Sequence, residues 1–322
     1  MTALARSAVT TSAPRAARTG AASAGWSLLF AGLAVVPLLT GELTTYRVGL
    51  VLIQGTAAIG LHVLVNWSRQ VSLGHAALVA VPAFIAASLS GESDLPLAVV
   101  LPLATAAGAA LGALVGLPAL RVRAMQVALV TLLAGVAVDR FALALPWFRR
   151  ASLSQVPSVQ LGPWPLFTNR ALYPVLLVVF GAAVMFTRQL DQSKVARALK
   201  LLGSSDQLAQ AAGVPTGRYA MFAYAYAGAL AGAAGAMHAY WVTRVGTASF
   251  GLAASLLLLT IVVVGGPGSI AGPLLATVLF VSRDVPLWLP ALSLMAVIVV
   301  APEGINGLGR ALRRRVENRR HR

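Results

Sequence analysis

The sequence predicts an all-α, polytopic integral membrane protein that crosses the bilayer about ten times. Three observations carry this reading. Of 322 residues, 58% are hydrophobic and only 11% charged, against roughly 25% charged in an ordinary soluble domain. The mean hydropathy is +0.81. The apolar residues fall in runs long enough to span a bilayer, which takes about 20 residues of helix.

In order, the predicted spans are 26–43, 48–65, 71–90, 95–120, 124–147, 171–187, 219–242 and 285–301, with 252–281 between the last two. That segment contains Gly265-Gly266-Pro267-Gly268-Ser269. Proline removes a backbone donor and clustered glycines favour non-helical backbone, so two short helices with a break are expected. The expected organisation is a disordered cytoplasmic tail over 1–25, a transmembrane domain over 26–301 with a loop at 188–218, and a basic tail over 302–322.

Charge placement sets the expected orientation. With both termini in the cytoplasm and 252–281 counted as two crossings, 18 basic residues lie inside and 7 outside. Inside are Arg6, Arg15, Arg18, Arg69, Arg121, Arg123, Arg188, Lys194, Arg197, Lys200, Arg218 and the arginines of the C-terminal tail. Counting 252–281 as one crossing would export that tail. The net charge of +16 is thus placed by membrane topology, and no nucleic-acid partner is expected. The tail's arginines suit solvent or anionic membrane lipid.

The residue inventory argues against an enzyme. The chain has no cysteine, four scattered histidines and nine acidic residues without an evident carboxylate dyad. No cofactor or metal is expected, and Gly266-Pro267-Gly268 lacks the rest of a nucleotide-binding loop. Gly108, Gly112 and Gly116, with Gly228 and Gly232, form small-residue seams for close helix packing.

Two regions remain for function. In the loop 188–218, Val195, Leu199 and Leu202 share one helical face, while Lys194, Arg197 and Lys200 recur every three residues. Gly203 is expected to end that helix. Ser204-x-x-Gln207 reads as a capping box opening a short helix that stops at Gly213, two residues before Pro215. Such a helix either docks a soluble partner or packs on its own spans. The third span opens with Gln70, Ser72 and His75, polar groups that are costly in a membrane. They serve either interhelical hydrogen bonds or the lining of a path.

Several runs occur in one order: Gln70-Val-Ser-Leu-Gly-His-Ala-Ala77, Leu120-Arg-Val-Arg123 and Arg197-Ala-Leu-Lys200. Ala229-Leu-Ala-Gly-Ala-Ala-Gly-Ala236, Val264-Gly-Gly-Pro-Gly-Ser269 and Pro302-Glu-Gly304 follow. Over about residues 45–315 the chain resembles the LivM-like permease subunit of branched-chain amino acid ABC importers. Arg69 and Pro82 stand where that family commonly has glycine.

The resemblance implies a second homologous permease subunit, two cytoplasmic ATP-binding subunits and an extracytoplasmic solute-binding protein, all at the plasma (inner) membrane. It implies a path near Gln70, Ser72, Gly74, His75, Gly266 and Gly268. It also implies coupling to the ATPase through Arg197, Lys200, Asp206, Ala209 and Gly213. The solute would be a branched-chain amino acid, or urea, a short amide or another small organic solute. An ion-coupled secondary transporter is the rival class. It would need intramembrane acids, and none of the nine sits at the centre of a predicted span.

Overall fold

The computed structural model describes residues 15–93, 95–120, 124–141, 145–153, 156, 159–161, 164–166, 169–282, 288–300 and 304–307. The sidedness expected for Arg6, Arg121, Arg123, Arg283 and the arginine-rich tail concerns residues outside that set.

The chain opens with α1 (Arg15–Leu39), α2 (Glu42–His62), α3 (His75–Ser93), α4 (Leu97–Gly116) and α5 (Ala124–Phe141). A short α6 (Pro146–Leu153) precedes a hairpin of β1 (Val159–Leu161) and β2 (Trp164–Leu166). Then come α7 (Asn169–Gln192), the loop helices α8 (Lys194–Ser204) and α9 (Asp206–Ala211), and α10 (Thr216–Val242). The segment ends with α11 (Leu252–Gly265), α12 (Ala271–Val281) and α13 (Trp288–Val300). The architecture is all-α apart from the three-residue strands. Glu42–Trp67, His75–Ser93, Leu97–Leu120, Arg170–Gln192 and Thr216–Val242 are long and apolar enough to cross a membrane. Gly25–Leu39, α11 and α12 are shorter apolar helices.

Some boundaries differ from expectation. The helix α1 begins at Arg15, so 15–25, expected as tail, has helical backbone. That stretch is rich in alanine and arginine, both good helix formers. Within the predicted fifth span, 124–147, α5 ends at Phe141 and a separate helix, α6, begins at Pro146. Proline stands there at the position where a missing N–H costs nothing.

At the centre stands α10, whose residues from Ala231 to Trp241 are all buried. It is held by backbone approach rather than by large side chains. A Cβ on Gly112 of α4 would lie 3.0 Å from the Gly228 Cα, and one on Gly232 would lie 3.1 Å from the Gly108 Cα. Apolar area offers no drive for association when the solvent is lipid, so close van der Waals contact through small residues takes its place. On another side of α10, a Cβ on Gly60 of α2 would lie 3.1 Å from the Ala227 Cα. Toward its C-terminus the Trp241 indole N–H donates to the Tyr46 carbonyl at 3.1 Å, and the two rings stack.

The expected break in 252–281 is present. The helices α11 and α12 have 14 and 11 residues, about 21 and 17 Å at 1.5 Å per residue. They join through residues 266–270. A crevice beside Gly268 and Ile270 is also lined by Arg188 and Asp191, so this turn lies at the end of the bundle that carries the 188–218 loop. After α13 the chain returns to the same turn, where the Asn306 amide donates to Gly266 and Ser269 carbonyls at 3.0 and 2.9 Å. Departure through α12 and return through α13 match the reading of 252–281 as two crossings.

The glycine seam makes a contrast that can be measured. Gly228→Leu should force α4 from α10 and cost at least about 1–3 kcal/mol, the usual penalty of overpacking. Gly32→Leu should be tolerated, because nothing lies within 4 Å of a Cβ there. Thermal unfolding of both variants in detergent checks this. Equal midpoints would remove the seam as the determinant of α10's position.

Candidate functional site

The site begins where α2 stops being an α-helix. Its last turn widens into a π-helical turn, Val63–Trp67. The Leu64 carbonyl then accepts from the Ser68 hydroxyl at 2.6 Å and from the Gln70 N–H at 3.1 Å. Arg69 takes φ +54°, a left-handed conformation that glycine adopts freely and a residue with a Cβ does not.

From Gln70 to Gly74 the backbone is not helical, and α3 starts only at His75. The sequence reading placed helix from residue 71. The difference arises because Val71, Ser72, Leu73 and Gly74 satisfy an apolar span in either conformation, while distant residues supply the partners that free them from a helix. The Leu73 N–H donates to the Thr131 hydroxyl at 3.0 Å, and the Thr131 hydroxyl donates to the Ala128 carbonyl at 2.8 Å. The Tyr224 hydroxyl donates to the Val71 carbonyl at 3.3 Å, and the Ala76 N–H donates to the Ser255 hydroxyl at 3.0 Å. Gly74 is required by proximity, since a Cβ there would stand 2.8 Å from the Thr131 carbonyl carbon and 3.0 Å from the Gly135 nitrogen.

Depth follows from these contacts. Val71 is level with Tyr224 of α10, and a Cβ on Gly235 would lie 3.1 Å from the Ala83 nitrogen of α3. His75 lies between those levels, midway along α10. Gln70, Ser72, Gly74 and His75 therefore form one rising strip that reaches the middle of the bundle. The strip is buried, with Ser72 and His75 at 0% exposure. Among the described residues no protein partner bonds the Gln70 Oε1 or the Ser72 Oγ, and the His75 ring has only the backbone of Ala57 beside it, without a hydrogen bond of ordinary geometry. Nor, among the described residues, does any partner bond the His62 Nε2, Trp67 Nε1 and His238 Nε2 atoms. Buried polar atoms are ordinarily bonded, so a row of unbonded ones singles out this strip as the candidate site.

Sequence reasoning missed polar residues beside this strip. A small cavity between α2, α3, α10 and α11 is lined by Gln54, Ala76, His238, Ser249 and Phe250. Its volume is about 10 Å³, room for one water molecule at most. Gln54 and His238 each break an apolar run, the same signal that pointed to Gln70 and His75.

The structure does not join Gly266 and Gly268 to this strip. They lie in the turn between α11 and α12, with φ of +76° and +114°. Two asparagines hold the turn. The Asn66 amide reaches the Gly266 carbonyl at 3.4 Å, and Asn306 reaches it from the other side at 3.0 Å. Asn66 also bonds the His62 Nδ1 at 2.8 Å. The turn is thereby tied to the residues that precede the strip.

The loop helices lie beneath. The Ser193 hydroxyl caps α8 by accepting the Ala196 N–H at 3.2 Å. The helix passes Gly203 and ends at Ser204, whose hydroxyl donates to the Leu201 carbonyl at 2.7 Å. The cap of α9 is Ser205, in extended backbone, accepting the Leu208 N–H at 3.3 Å. Of two adjacent serines, tertiary packing selects the second, because Gly203 is seated on the Trp67 carbonyl with only 3.0 Å between a Cβ and the carbonyl carbon. Gly213 takes φ +75° just after α9, as its stop chemistry requires.

Ala209 is buried beside Leu202 and Ala220, and this anchors α9. Its outer side is open, with Asp206 exposed and Leu208 60% exposed. Arg197 is exposed, its guanidinium reaching the Gln192 carbonyl at 3.4 Å. Lys200 pairs with Asp191, and its ammonium lies 4.9 Å from the centroid of the Trp67 ring.

A multi-pass bundle with a polar, non-helical strip in its interior and a capped helix projecting at one end defines a membrane transport component. The chain belongs to the family described as branched-chain amino acid transport system / permease component, which matches residues 44–295. It is 31% identical over 252 residues to the high-affinity branched-chain amino acid transport system permease protein LivM of Salmonella typhimurium, covering 70% of this chain and 59% of that protein. The LivM protein of Escherichia coli is 30% identical over the same extent. The match thus spans less than two thirds of these curated relatives. No solved structure matches the chain significantly.

The hydroxyl that frees residue 73 from a helix can be tested. Thr131→Val should leave the Leu73 N–H without its acceptor and cost about 1–3 kcal/mol, while Thr131→Ser should retain most of the stability. Denaturation of the detergent-solubilised protein reads the difference. Identical stability of the valine and serine variants would show that the bond contributes nothing.

Proposed function

We propose that this chain is the permease subunit of an ABC importer that moves a branched-chain amino acid across the plasma membrane. ATP hydrolysis in partner chains drives the transport. The observation that carries the reading is the joint presence of the unbonded polar strip Gln70–His75 and the exposed, buried-anchored helix α9, in a chain of the branched-chain amino acid permease family. The partners are a second homologous permease, two cytoplasmic ATP-binding subunits and an extracytoplasmic solute-binding protein. Both termini are cytoplasmic, and the 188–218 loop faces the same side.

In this mechanism Arg197, Lys200, Asp206, Ala209 and Gly213 belong to the element that meets the ATPase. Motion of α9 travels through α8 to Trp67 and the strip, and the closed cavity beside Gln54 and His238 opens toward the receptor side. Gly266 and Gly268 act at the base of the path, where their turn holds Asn66. Urea or a short amide is the alternative cargo. Uptake of labelled leucine, isoleucine and valine into vesicles containing the assembled complex and its receptor tests the reading. Competition by urea or acetamide, but not by these amino acids, would transfer the assignment to the alternative.

Coupling gives a sharper expectation. Ala209→Pro should disrupt α9, at about 3 kcal/mol locally, and abolish substrate-stimulated ATP hydrolysis while the spans still insert. Normal stimulation in that variant would remove α9 as the coupling element. Orientation is checked by single-cysteine labelling. Substitutions at Gln207 and Arg313 should react from one side and a substitution at Arg283 from the other. Labelling of Arg283→Cys and Arg313→Cys from the same side would break the ten-pass arrangement.

A further inference from the structure

A crevice runs between α1 and α7, with a volume of about 470 Å³. Its lining changes character along the helix axis. Phe30, Gly181 and Met185 form the apolar part, and Trp26, Arg188 and Gln192 form the polar part. Gly181 and Gln192 are eleven positions apart on one helix, or about 16 Å, close to half of the ~30 Å hydrocarbon thickness. The crevice therefore has the length and polarity profile of one leaflet.

The polar end is also charged in one sense. Arg188 lies 5.4 Å from the centroid of the Trp26 ring, and among the described residues no carboxylate pairs with it. The nearby Asp191 is engaged by Lys200. Tryptophan and arginine together mark the depth of lipid headgroups. Gly181 keeps the apolar end open, since a Cβ there would still stand 3.4 Å from Phe30 and a larger side chain would fill the space.

We propose that this crevice binds one anionic phospholipid of the leaflet on the 188–218 side. Its phosphate sits at Arg188 and Trp26, and one acyl chain lies along Phe30, Gly181 and Met185. Charge complementarity selects an anionic headgroup over a zwitterionic one. Arg188 and Trp26 also line the adjoining crevice of about 320 Å³ that reaches Gly268, Ser269 and Ile270. The lipid headgroup thereby lies next to the turn that Asn66 and Asn306 hold.

The test is native mass spectrometry of the full chain in mild detergent, titrated with phosphatidylglycerol or phosphatidylcholine. The variants are Arg188→Gln, Lys194→Gln as a control of equal net charge outside the crevice, and Gly181→Leu. Wild type and Lys194→Gln should retain phosphatidylglycerol equally and in preference to phosphatidylcholine. Arg188→Gln should lose about fivefold in phosphatidylglycerol affinity, the factor one arginine carries near an anionic surface. Gly181→Leu, which keeps every charge, should lose the saturable site for both lipids. Phosphatidylglycerol binding unchanged in Arg188→Gln or Gly181→Leu would overturn the proposal. So would cysteine cross-linking from Gln189 to a second polypeptide in membranes, since a partner helix would then occupy the crevice.

Discussion

Everything in this structure depends on how the backbone polar groups of residues 69–76 are satisfied. In an apolar bundle an unbonded N–H or carbonyl costs several kcal/mol, so irregular backbone survives at membrane depth only where other parts of the protein answer it. Here the answers come from the Leu64 carbonyl and the hydroxyls of Thr131, Ser255 and Tyr224. These groups come from α2, α5, α11 and α10. The strip is thus a junction of four helices, and each of them is fixed in rotation by the bond it makes there.

That arrangement separates two kinds of polarity. Partners hold the Gln70, Leu73 and Ala76 N–H groups and the Val71 and Gly74 carbonyls, whereas the Gln70 Oε1 and Ser72 Oγ have no partner among the described residues. A permease needs this division. A passage whose side chains were already bonded to one another would offer a solute nothing, and one whose backbone was unbonded would not hold its shape. The glycine seam between α4 and α10 contributes from outside by keeping α10, and with it Tyr224 and His238, at a fixed distance from the strip.

Much of this was legible in the sequence, and the reasons are physical. Spans are readable because lipid demands about 20 consecutive apolar residues. The break at 266–270 was readable because Gly266, Pro267 and Gly268 each oppose a continuous helix. The break at 70–74 was not, because Val71 and Leu73 fit a helix as well as a strip, and the deciding hydroxyls sit at Thr131 and Ser255. The same holds for the cap of α9. Ser204 and Ser205 are locally equivalent, and the seat of Gly203 on Trp67 decides between them. The pairing of Asn66 with Asn306 around one turn leaves no local mark at all. Gln54 and His238 could have been found by weighing single polar residues within apolar runs.

The seat of Gly203 has a mechanical consequence. With no side chain between α8 and the Trp67 carbonyl, and with Lys200 resting over the Trp67 ring, loop and bundle meet backbone to backbone. In the transport cycle proposed above, displacement of α8 reaches the base of the strip at Trp67, and an occupant of the strip bears on the surface that α8 and α9 present below. Thermodynamic reciprocity then makes the two ends report on each other: whatever binds the loop more tightly when the strip is filled must also favour filling the strip.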